Sequence, residues 1–182
     1  MSSRSSWMIL CMAAGFSVAS CAAAKETETS AAVDAHAVEA SASGKPVFVQ
    51  DVAAEARDAI SVVDAFGAAI KAADLAVAKD LLDVNALVLE SGESERSRDE
   101  YMGSHAIADA AFMQSTVVTP RYRRARAQGD LAWVGTQSEL ERTKDGKPTV
   151  IYSSETMVLR KTGAGWKIVH IHWSSHGVAA GE

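Results

Sequence analysis

The segment LAWVGTQSELERTKDGKPTVIYSSETMVLRKTGAGWKIVHIHWS, residues 131–174, carries the clearest structural pattern of the chain. It contains three stretches rich in β-branched and aromatic residues, namely 131–143, 149–161 and 166–174. The turn Lys144-Asp145-Gly146-Lys147 contains the Asp-Gly pair typical of a two-residue hairpin, and Thr162-Gly163-Ala164-Gly165 suits a longer loop. The segment therefore predicts an antiparallel meander, with 116–128 as a preceding strand.

The residues before this meander have helical periodicity. The first predicted helix is capped by Asp51 and buries a stripe at spacings of four, three and four, formed by Ala59, Val63, Phe66 and Ile70. A second, shorter helix follows Asp74, with Leu75, Ala78 and Leu82 as its inner stripe. A short strand is predicted at 86–90. Ser97-Arg98-Asp99-Glu100 has the spacing of a capping box, so a third helix begins there and runs to about Gln114. Helices first and strands later predict an α+β fold, with the helices covering one face of the sheet.

The N-terminus has the pattern of an export signal. Arg4 precedes the apolar run 7–18, which is shorter than the roughly 20 residues that a membrane-spanning helix needs. Val18-Ala19-Ser20-Cys21 resembles a bacterial lipobox, although ordinary cleavage within 22–24 is the alternative. We therefore predict an exported, periplasm-facing protein that is membrane-anchored through lipidated Cys21. Cys11 is lost with the signal, so the mature chain can form no internal disulfide.

The composition sets the expected domain boundaries. We assign 1–20 to the signal peptide, 21–45 to a disordered Ala/Glu/Ser/Thr-rich tether, 46–176 to one domain and 177–182 to a tail. The 182 residues carry a formal net charge of −5, which argues against a nucleic-acid partner. We interpret the basic cluster as a solvated edge strand; its members are Arg121, Arg123, Arg124 and Arg126.

The hairpin turns predict which side chains share a sheet face. If Lys161 opposes Trp166, Glu155 faces His172, with Met157 opposite His170 and Ser153 opposite Ser174. If Lys144 opposes Lys147, Thr136 falls beside Glu155 and Ser138 beside Ser153. One face then has apolar ends around a polar centre, which is typical of a small-molecule pocket. The predicted ligand-binding residues are Tyr101, His105, Thr136, Ser153, Glu155, His170, His172 and Ser174.

The opposite face is predicted to be apolar and to need cover. It carries Trp133, Val158, Val169, Ile171 and Trp173, and we assign it to a homodimer interface. The reverse assignment, with this face under the helices, stays open.

The third helix is predicted to place His105 on its inward stripe with Tyr101, Ala108 and Phe112. Asp109 lies one turn beyond His105, close enough to hold its imidazole in one tautomer. A buried histidine that merely satisfies its neighbours and one that binds a ligand both fit this position.

Three uses of this set are open. Glu155 and His172 could act as catalytic base and acid, because a carboxylate beside an imidazole in a semi-apolar cavity has a proton affinity near neutral pH. His105, His170 and His172 could bind a transition metal with Glu155 as a further ligand. The same groups could also line a pocket for an unreactive ligand. No nucleotide, serine-hydrolase, zinc-protease or CxxC motif occurs, so no cofactor is predicted.

Two stretches resemble the nuclear transport factor 2-like superfamily, which includes the SnoaL-like domains. They are Leu89-Glu90-Ser91-Gly92 with Arg98-Asp99-Glu100-Tyr101, and the end 165–174, which is similar to the final strand of kinase association domains. The resemblance covers about 50–176. It implies a cone-shaped domain of three helices on a curved antiparallel sheet, usually dimeric, with a pocket between the layers. Members include isomerases, cyclases, dehydratases and binding modules, and the ketosteroid isomerase tyrosine and aspartate match no specific residues here.

The sequence thus predicts an exported, lipid-anchored domain that binds a small ligand. The alternatives are an isomerase or dehydratase-like enzyme that uses Glu155 and His172, and a metal-binding envelope protein that uses the three histidines. The expected partners are a small molecule, the membrane through the anchor and a second copy of the chain.

Overall fold

The computed structural model describes residues 47–144 and 146–179. The helices and strands, in chain order, are β1 (Val49–Val52), a 3₁₀ turn (Ala54–Ala56), α1 (Arg57–Ala72), α2 (Leu75–Leu81), β2 (Leu82–Glu90), β3 (Glu93–Glu95), α3 (Arg98–Gly103), α4 (His105–Gln114), β4 (Val117–Gln128), β5 (Leu131–Lys144), β6 (Lys147–Thr162) and β7 (Gly165–Ala179). The predicted signal peptide, Cys21 and the predicted tether lie outside the described residues.

The strands form one sheet in the order β1-β4-β5-β6-β7-β2-β3. The central strands β4 to β7 are an antiparallel meander, as predicted, and both hairpins have the predicted pairing at their turns: Lys144 opposes Lys147 and Lys161 opposes Trp166. The flanking strands β1 and β2 pair in parallel with β4 and β7, so the sheet is mixed. The α+β class, with helices packed on a curved sheet, is confirmed. β7 continues to Ala179, beyond the predicted domain end.

The core lies between α1 and the inner face of the sheet, which we define as the face under the helices. The predicted inner stripe of α1, Ala59, Val63, Phe66 and Ile70, is buried. It faces apolar side chains from four strands, among them Val88, Val134, Met157, Leu159, Ile168 and Ile171. Burial of each large aliphatic side chain contributes about 1.5–3 kcal/mol, so this layer holds the helices on the sheet.

Local capping sets the starts of two helices. The Asp74 carboxylate accepts a hydrogen bond from the Val77 amide at 3.2 Å and so caps α2, which follows Asp74 as predicted. At α3 the Ser97 hydroxyl accepts from the Glu100 amide, and the Glu100 carboxylate accepts from the Arg96 amide. The predicted cap at Asp51 is wrong, because Asp51 lies in β1.

The predicted third helix is two helices. It breaks at Ser104, whose φ of −135° and ψ of −84° are not helical. Gly103 precedes the break, and glycine has a low helix propensity because its backbone loses the most entropy on ordering. The Ser104 hydroxyl donates to the Glu100 carbonyl at 3.1 Å. The break separates the helical phase of α4 from that of α3.

The basic cluster lies on β4, between β1 and β5, so its prediction as an edge strand is wrong. Its arginines pair with carboxylates instead of facing solvent alone. Arg124 and Arg126 both bind Asp51, and the remaining pairs are Arg121 with Glu139 and Arg123 with Asp64. The carboxylates balance the positive charge within the fold.

A β-bulge in β7 changes the register of its second half. Leu159 pairs with Ile168, but the next residue back in β6, Val158, pairs with His170. Val169 is therefore an extra residue with no partner in β6. One inserted residue reverses which side chains face inward, because side chains alternate along a strand.

No helix within 47–144 and 146–179 is both long and apolar enough to cross a membrane.

Candidate functional site

A pocket of about 490 Å³ opens between the helices and all four strands of the meander. This volume falls in the usual range for small-molecule sites, roughly 300–1,000 Å³. Most of its wall is apolar, with residues of α1, α4 and the sheet such as Val63, Phe66, Ile70, Phe112, Leu140 and Ile151. Its polar wall residues are Asp64, Glu90, Asp109, Arg123, Thr136, Ser138, Ser153, Glu155 and Ser175. The pocket has the apolar margins and polar centre that the sequence predicts.

Glu155 lies in the sheet wall of this pocket. Its Oε2 accepts a hydrogen bond from the indole Nε1 of Trp173 at 2.9 Å. Burial raises the pKa of the Glu155 carboxyl, while the Trp173 hydrogen bond and the nearby Arg123 charge oppose that rise. Glu155 therefore keeps a proton to higher pH than an exposed glutamate, which is the property of a group that can both give and take protons.

Arg123 is the cation of the pocket wall, and it is already paired. Its guanidinium donates to the Asp64 carboxylate at 2.7 Å, and its Nε donates to the Thr136 hydroxyl at 3.2 Å. Since the Thr136 oxygen accepts from Arg123, its own hydrogen remains available for a further acceptor. Thr136 pairs with Glu155 across β5 and β6, as predicted, so a hydroxyl donor and a carboxyl sit side by side.

A second carboxyl, that of the half-buried Asp109, lies in the helical wall. Its Oδ2 accepts from the Tyr101 hydroxyl at 2.8 Å. Burial raises the pKa of Asp109, and burial followed by repulsion from Asp109 raises the pKa of Glu90. The Tyr101 pKa is also raised, first by burial and then by Asp109, so Tyr101 stays protonated and donates. The Tyr101 ring packs between Phe66 and Trp173, which connects the helical wall to the sheet wall.

The predicted pairing of Glu155 with His172 is wrong, because the bulge at Val169 shifts the register. Glu155 pairs with Trp173, and Ser153 pairs with Ser175 instead of Ser174. Trp173 and Ser175 line the pocket, whereas His170, His172 and Ser174 point to the outer face, the side of the sheet away from the helices. Of the predicted ligand-binding residues in the meander, Thr136, Ser153 and Glu155 therefore line the cavity.

His105 does not take the predicted buried position either. It begins α4, its side chain is 40% exposed, and its Nδ1 contacts the buried Glu95 carboxylate. Asp109, predicted to hold the imidazole of His105, binds the Tyr101 hydroxyl instead. The break at Ser104 explains the difference, because it separates His105 from the helical phase of α3.

The predicted three-histidine metal site with Glu155 is not assembled. His170 and His172 lie on the outer face, His105 lies near Glu95, and Glu155 faces the pocket. Within the described part of the chain, no three histidine, cysteine or acidic side chains converge in a way that could hold a metal ion.

The outer face also differs from its predicted composition. Ile171 and Trp173, predicted to lie there, are on the inner side with the core and the pocket. Trp133 stays on the outer face with 40% of its surface exposed, and Leu131 and Tyr152 are exposed as well. The outer face thus combines a few apolar side chains with His170 and His172.

The sequence contained a signal for the bulge. The apolar residues Trp166 and Ile168 alternate, but the next two, Ile171 and Trp173, follow the opposite parity. One extra residue between the two pairs lets all four face inward, and burial of such side chains is strongly favoured. Asp64, Glu90 and Arg123 had no comparable signal, because tertiary packing alone brings them to one cavity.

The matching family is described as "SnoaL-like domain" and covers residues 60–178. A similar solved structure is a proposed ketosteroid isomerase from Shewanella frigidimarina NCIMB 400, at 31% identity and a TM-score of 0.62, covering 68% of this chain and 99% of that one. No curated protein matches the chain.

Two further solved structures share the fold at lower identity. A proposed dehydratase of the NTF2-like family from Streptomyces avermitilis is 17% identical with a TM-score of 0.58, covering 66% of this chain and 95% of that one. The CaMKII hub of S. rosetta is 22% identical with a TM-score of 0.58, covering 68% and 98%. The matched domain spans more than half of this sequence and includes every wall of the pocket. The chain belongs to the SnoaL-like domain family, and solved structures of the nuclear transport factor 2-like superfamily share its fold.

Proposed function

We propose that the pocket binds one small, mainly apolar molecule whose polar group docks against Glu155 and Thr136. The observation that carries this proposal is a buried carboxyl with a raised pKa in the wall of a largely apolar cavity of about 490 Å³. A buried ionisable group is costly unless a partner compensates it, so its position in a ligand-sized cavity indicates use.

The charges of the wall support an uncharged or cationic ligand. Glu90, Asp109 and Glu155 all have raised pKa values, chiefly through burial, and Arg123 is paired with Asp64. An anionic ligand would place another negative charge beside these acids without an unpaired cation in the wall to offset it. A neutral alcohol can accept from Thr136 and donate to an ionised Glu155, and a ketone can accept from Thr136 and from a protonated Glu155.

The test uses three probes of equal chain length: 1-decanol, decylamine and decanoate. We expect decanol or decylamine to raise the melting temperature, since a ligand that binds the folded state stabilises it by mass action. Ala108→Phe should weaken this shift, because Ala108 lines the pocket. Ala111→Phe is the matched control, an exposed alanine of α4 outside the pocket wall. Equal shifts in both variants, or no shift in the wild-type protein, would contradict binding in this cavity.

A second candidate function is proton transfer by Glu155, as in an isomerase or a dehydratase. The raised pKa of Glu155 and the 31% identity to the proposed ketosteroid isomerase favour it. In an isomerisation, the Glu155 carboxylate takes a proton from one carbon of an unsaturated ketone and the resulting acid returns it to another. Thr136 would then donate to the ketone oxygen, and His172 would have no part because it lies on the outer face.

Exchange in D₂O separates proton transfer from simple binding. A β,γ-unsaturated steroid ketone should isomerise and take up deuterium with wild-type protein, and Glu155→Gln should abolish both while the thermal shift by the same ketone remains. Binding without exchange in either protein would leave ligand binding as the function.

Export and lipid anchoring are proposed from the sequence signal, and Cys21 is the residue on which they depend. Labelling of cells with an alkyne fatty acid should tag the wild-type protein, and Cys21→Ala should lose the tag and the membrane fraction. A membrane-bound, labelled Cys21→Ala protein would contradict the anchor.

A homodimer is proposed through the exposed apolar part of the outer face around Trp133 and Leu131. Sedimentation should give a dimer for the wild-type domain and a monomer for Trp133→Arg. The surface control is Val117→Arg, which changes an exposed apolar residue at the start of β4. Monomeric wild-type protein would contradict the dimer.

A further inference from the structure

His170 and His172 form a pair on the outer face of β7, apart from the pocket. They are alternate residues of one strand, so both rings lie on the same side of the sheet. Their ring centroids are 6.5 Å apart. The bulge at Val169 places them there, since without it they would point under the helices.

The backbone of β2 fixes the orientation of one of these rings. The Nδ1 atom of His170 lies 3.0 Å from the carbonyl oxygen of Leu87. A carbonyl oxygen only accepts hydrogen bonds, so Nδ1 carries the hydrogen and the lone pair is on Nε2. A histidine held in this way by its second ring nitrogen is the usual arrangement of a metal-ligating imidazole.

The imidazole ring of His172 has room to rotate. His172 is exposed and lies opposite Thr156 in β6 and Leu89 in β2, which carry no charge that would compete for its ring. A modest side-chain rotation therefore brings a ring nitrogen of His172 toward the Nε2 of His170 without disturbing the core.

We propose that His170 and His172 together bind a divalent transition-metal ion on the outer face, with Cu²⁺ bound most tightly. Imidazole nitrogens suit copper, nickel and zinc, and Cu²⁺ stands highest among these divalent ions in intrinsic affinity. A tetragonal Cu²⁺ ion takes the two nitrogens as neighbouring ligands and leaves its other positions to water. The site is independent of the pocket, because Glu155 and Trp173 lie on the opposite face.

The experiment titrates tag-free protein with Cu²⁺ alone in a non-coordinating buffer, followed by calorimetry and electron paramagnetic resonance. We expect one ion per chain, with nitrogen hyperfine structure from two imidazoles. His170→Ala and His172→Ala should each weaken Cu²⁺ binding by at least about tenfold. Loss of a hydrogen bond that supports a metal ligand already lowers metal affinity by about tenfold or more, and loss of the ligand itself should lower it at least as much. Each variant should retain the signal of one imidazole.

His176→Ala is the matched control. His176 lies further along the same strand beside Tyr152, at ring centroids 5.5 Å apart, and its removal should leave Cu²⁺ affinity unchanged. His36 and His105 are present in every protein compared, so binding through them would persist in His170→Ala and His172→Ala. Unchanged affinity in those two variants, or no stoichiometric binding by the wild-type protein, would overturn the proposal. Circular dichroism confirms that each variant is folded.

Discussion

The two faces of β7 place neighbouring residues in opposite chemical environments. Trp173 faces the pocket and donates to the buried Glu155 carboxyl, whereas His172, one residue earlier, is exposed on the outer face. On the inner face burial raises the pKa of an acid, and on the outer face imidazoles remain available to solvent and metal ions. The chemistry of a polar residue in β7 therefore depends on the face on which it lies, and one bulge residue assigns the faces.

Insertion of one residue between Ile171 and His172 should have the largest effect, because it reverses the alternation of side chains in the regular part of β7 after the bulge. His172 would then point under the helices, and Trp173 would leave the interior. Loss of a large side chain from the interior costs about 2–5 kcal/mol, and burial of an unpaired polar group adds about 1–3 kcal/mol. Chemical denaturation should therefore show a strongly destabilised protein. Val169→Ala keeps the chain length and the alternation and should unfold cooperatively, and an insertion variant of wild-type stability would refute the separation of the two faces.

Alanine substitutions at two adjacent positions should reproduce the contrast on a smaller scale. Ile171 is fully buried, so Ile171→Ala should lower the free energy of unfolding by about 2–5 kcal/mol. His172→Ala, on the exposed side, should change it by no more than about 0.5 kcal/mol. Urea denaturation of both variants measures the difference, and similar losses for the two would show that the faces are not distinct.

Substitution of one tryptophan on each face of the sheet should affect Glu155 only when the tryptophan lies on the inner face. Trp173→Phe keeps an aromatic ring beside Tyr101 but removes the hydrogen bond to Glu155, at a cost of about 1–3 kcal/mol at neutral pH. The Glu155 pKa should rise further, since that bond lowers it. Carboxyl-carbon NMR titration reports this change. Trp133→Phe on the outer face should leave the Glu155 titration as it is, and an unmoved titration in Trp173→Phe would contradict the assigned contact.

The smallest expected effect is the pH dependence that Glu155 contributes. Its pKa is higher in the folded protein than its ordinary value of 4.5, so the folded state binds more protons and unfolding releases them. This stabilisation is complete below pH 4.5 and is lost as the pH rises through the folded-state pKa. The loss is about 1.4 kcal/mol for each pH unit by which the folded-state pKa of Glu155 exceeds its ordinary value. The stability of wild type relative to Glu155→Gln should therefore fall from pH 4 to pH 8. A stability difference between wild type and Glu155→Gln that stays constant over this pH range would contradict the raised pKa of Glu155.

Much of the fold could be predicted from local patterns. The helical stripe of α1 and the start of α2 after Asp74 depend on residues close in sequence, and the structure confirms them. The hairpin turns fixed the pairing of Thr136 with Glu155 because β5 has no bulge opposite β6. The pairing of Glu155 with His172 failed, since turn geometry sets register only as far as the first irregularity.

Several residues of the pocket wall could not be predicted from local patterns. Trp173, Asp109 and Arg123 reach the cavity from three separate elements, and the hydrogen-bond partners of Trp173 and Arg123 lie on other elements distant in sequence. Asp64, for example, lies 59 residues from its partner Arg123. Such contacts depend on how the layers pack, which local periodicity does not encode.

Local patterns in the sequence were enough to specify the α+β class, the meander, the inner stripe of α1 and the place of Glu155 at the polar centre of a sheet face. Packing of the whole domain was needed to specify which aromatic and acidic side chains share that centre, and on which side of the sheet the histidines lie. Side-chain direction in a strand alternates with every residue, so one unpaired residue at position 169 exchanges the two faces, and only the packing of the core selects that arrangement.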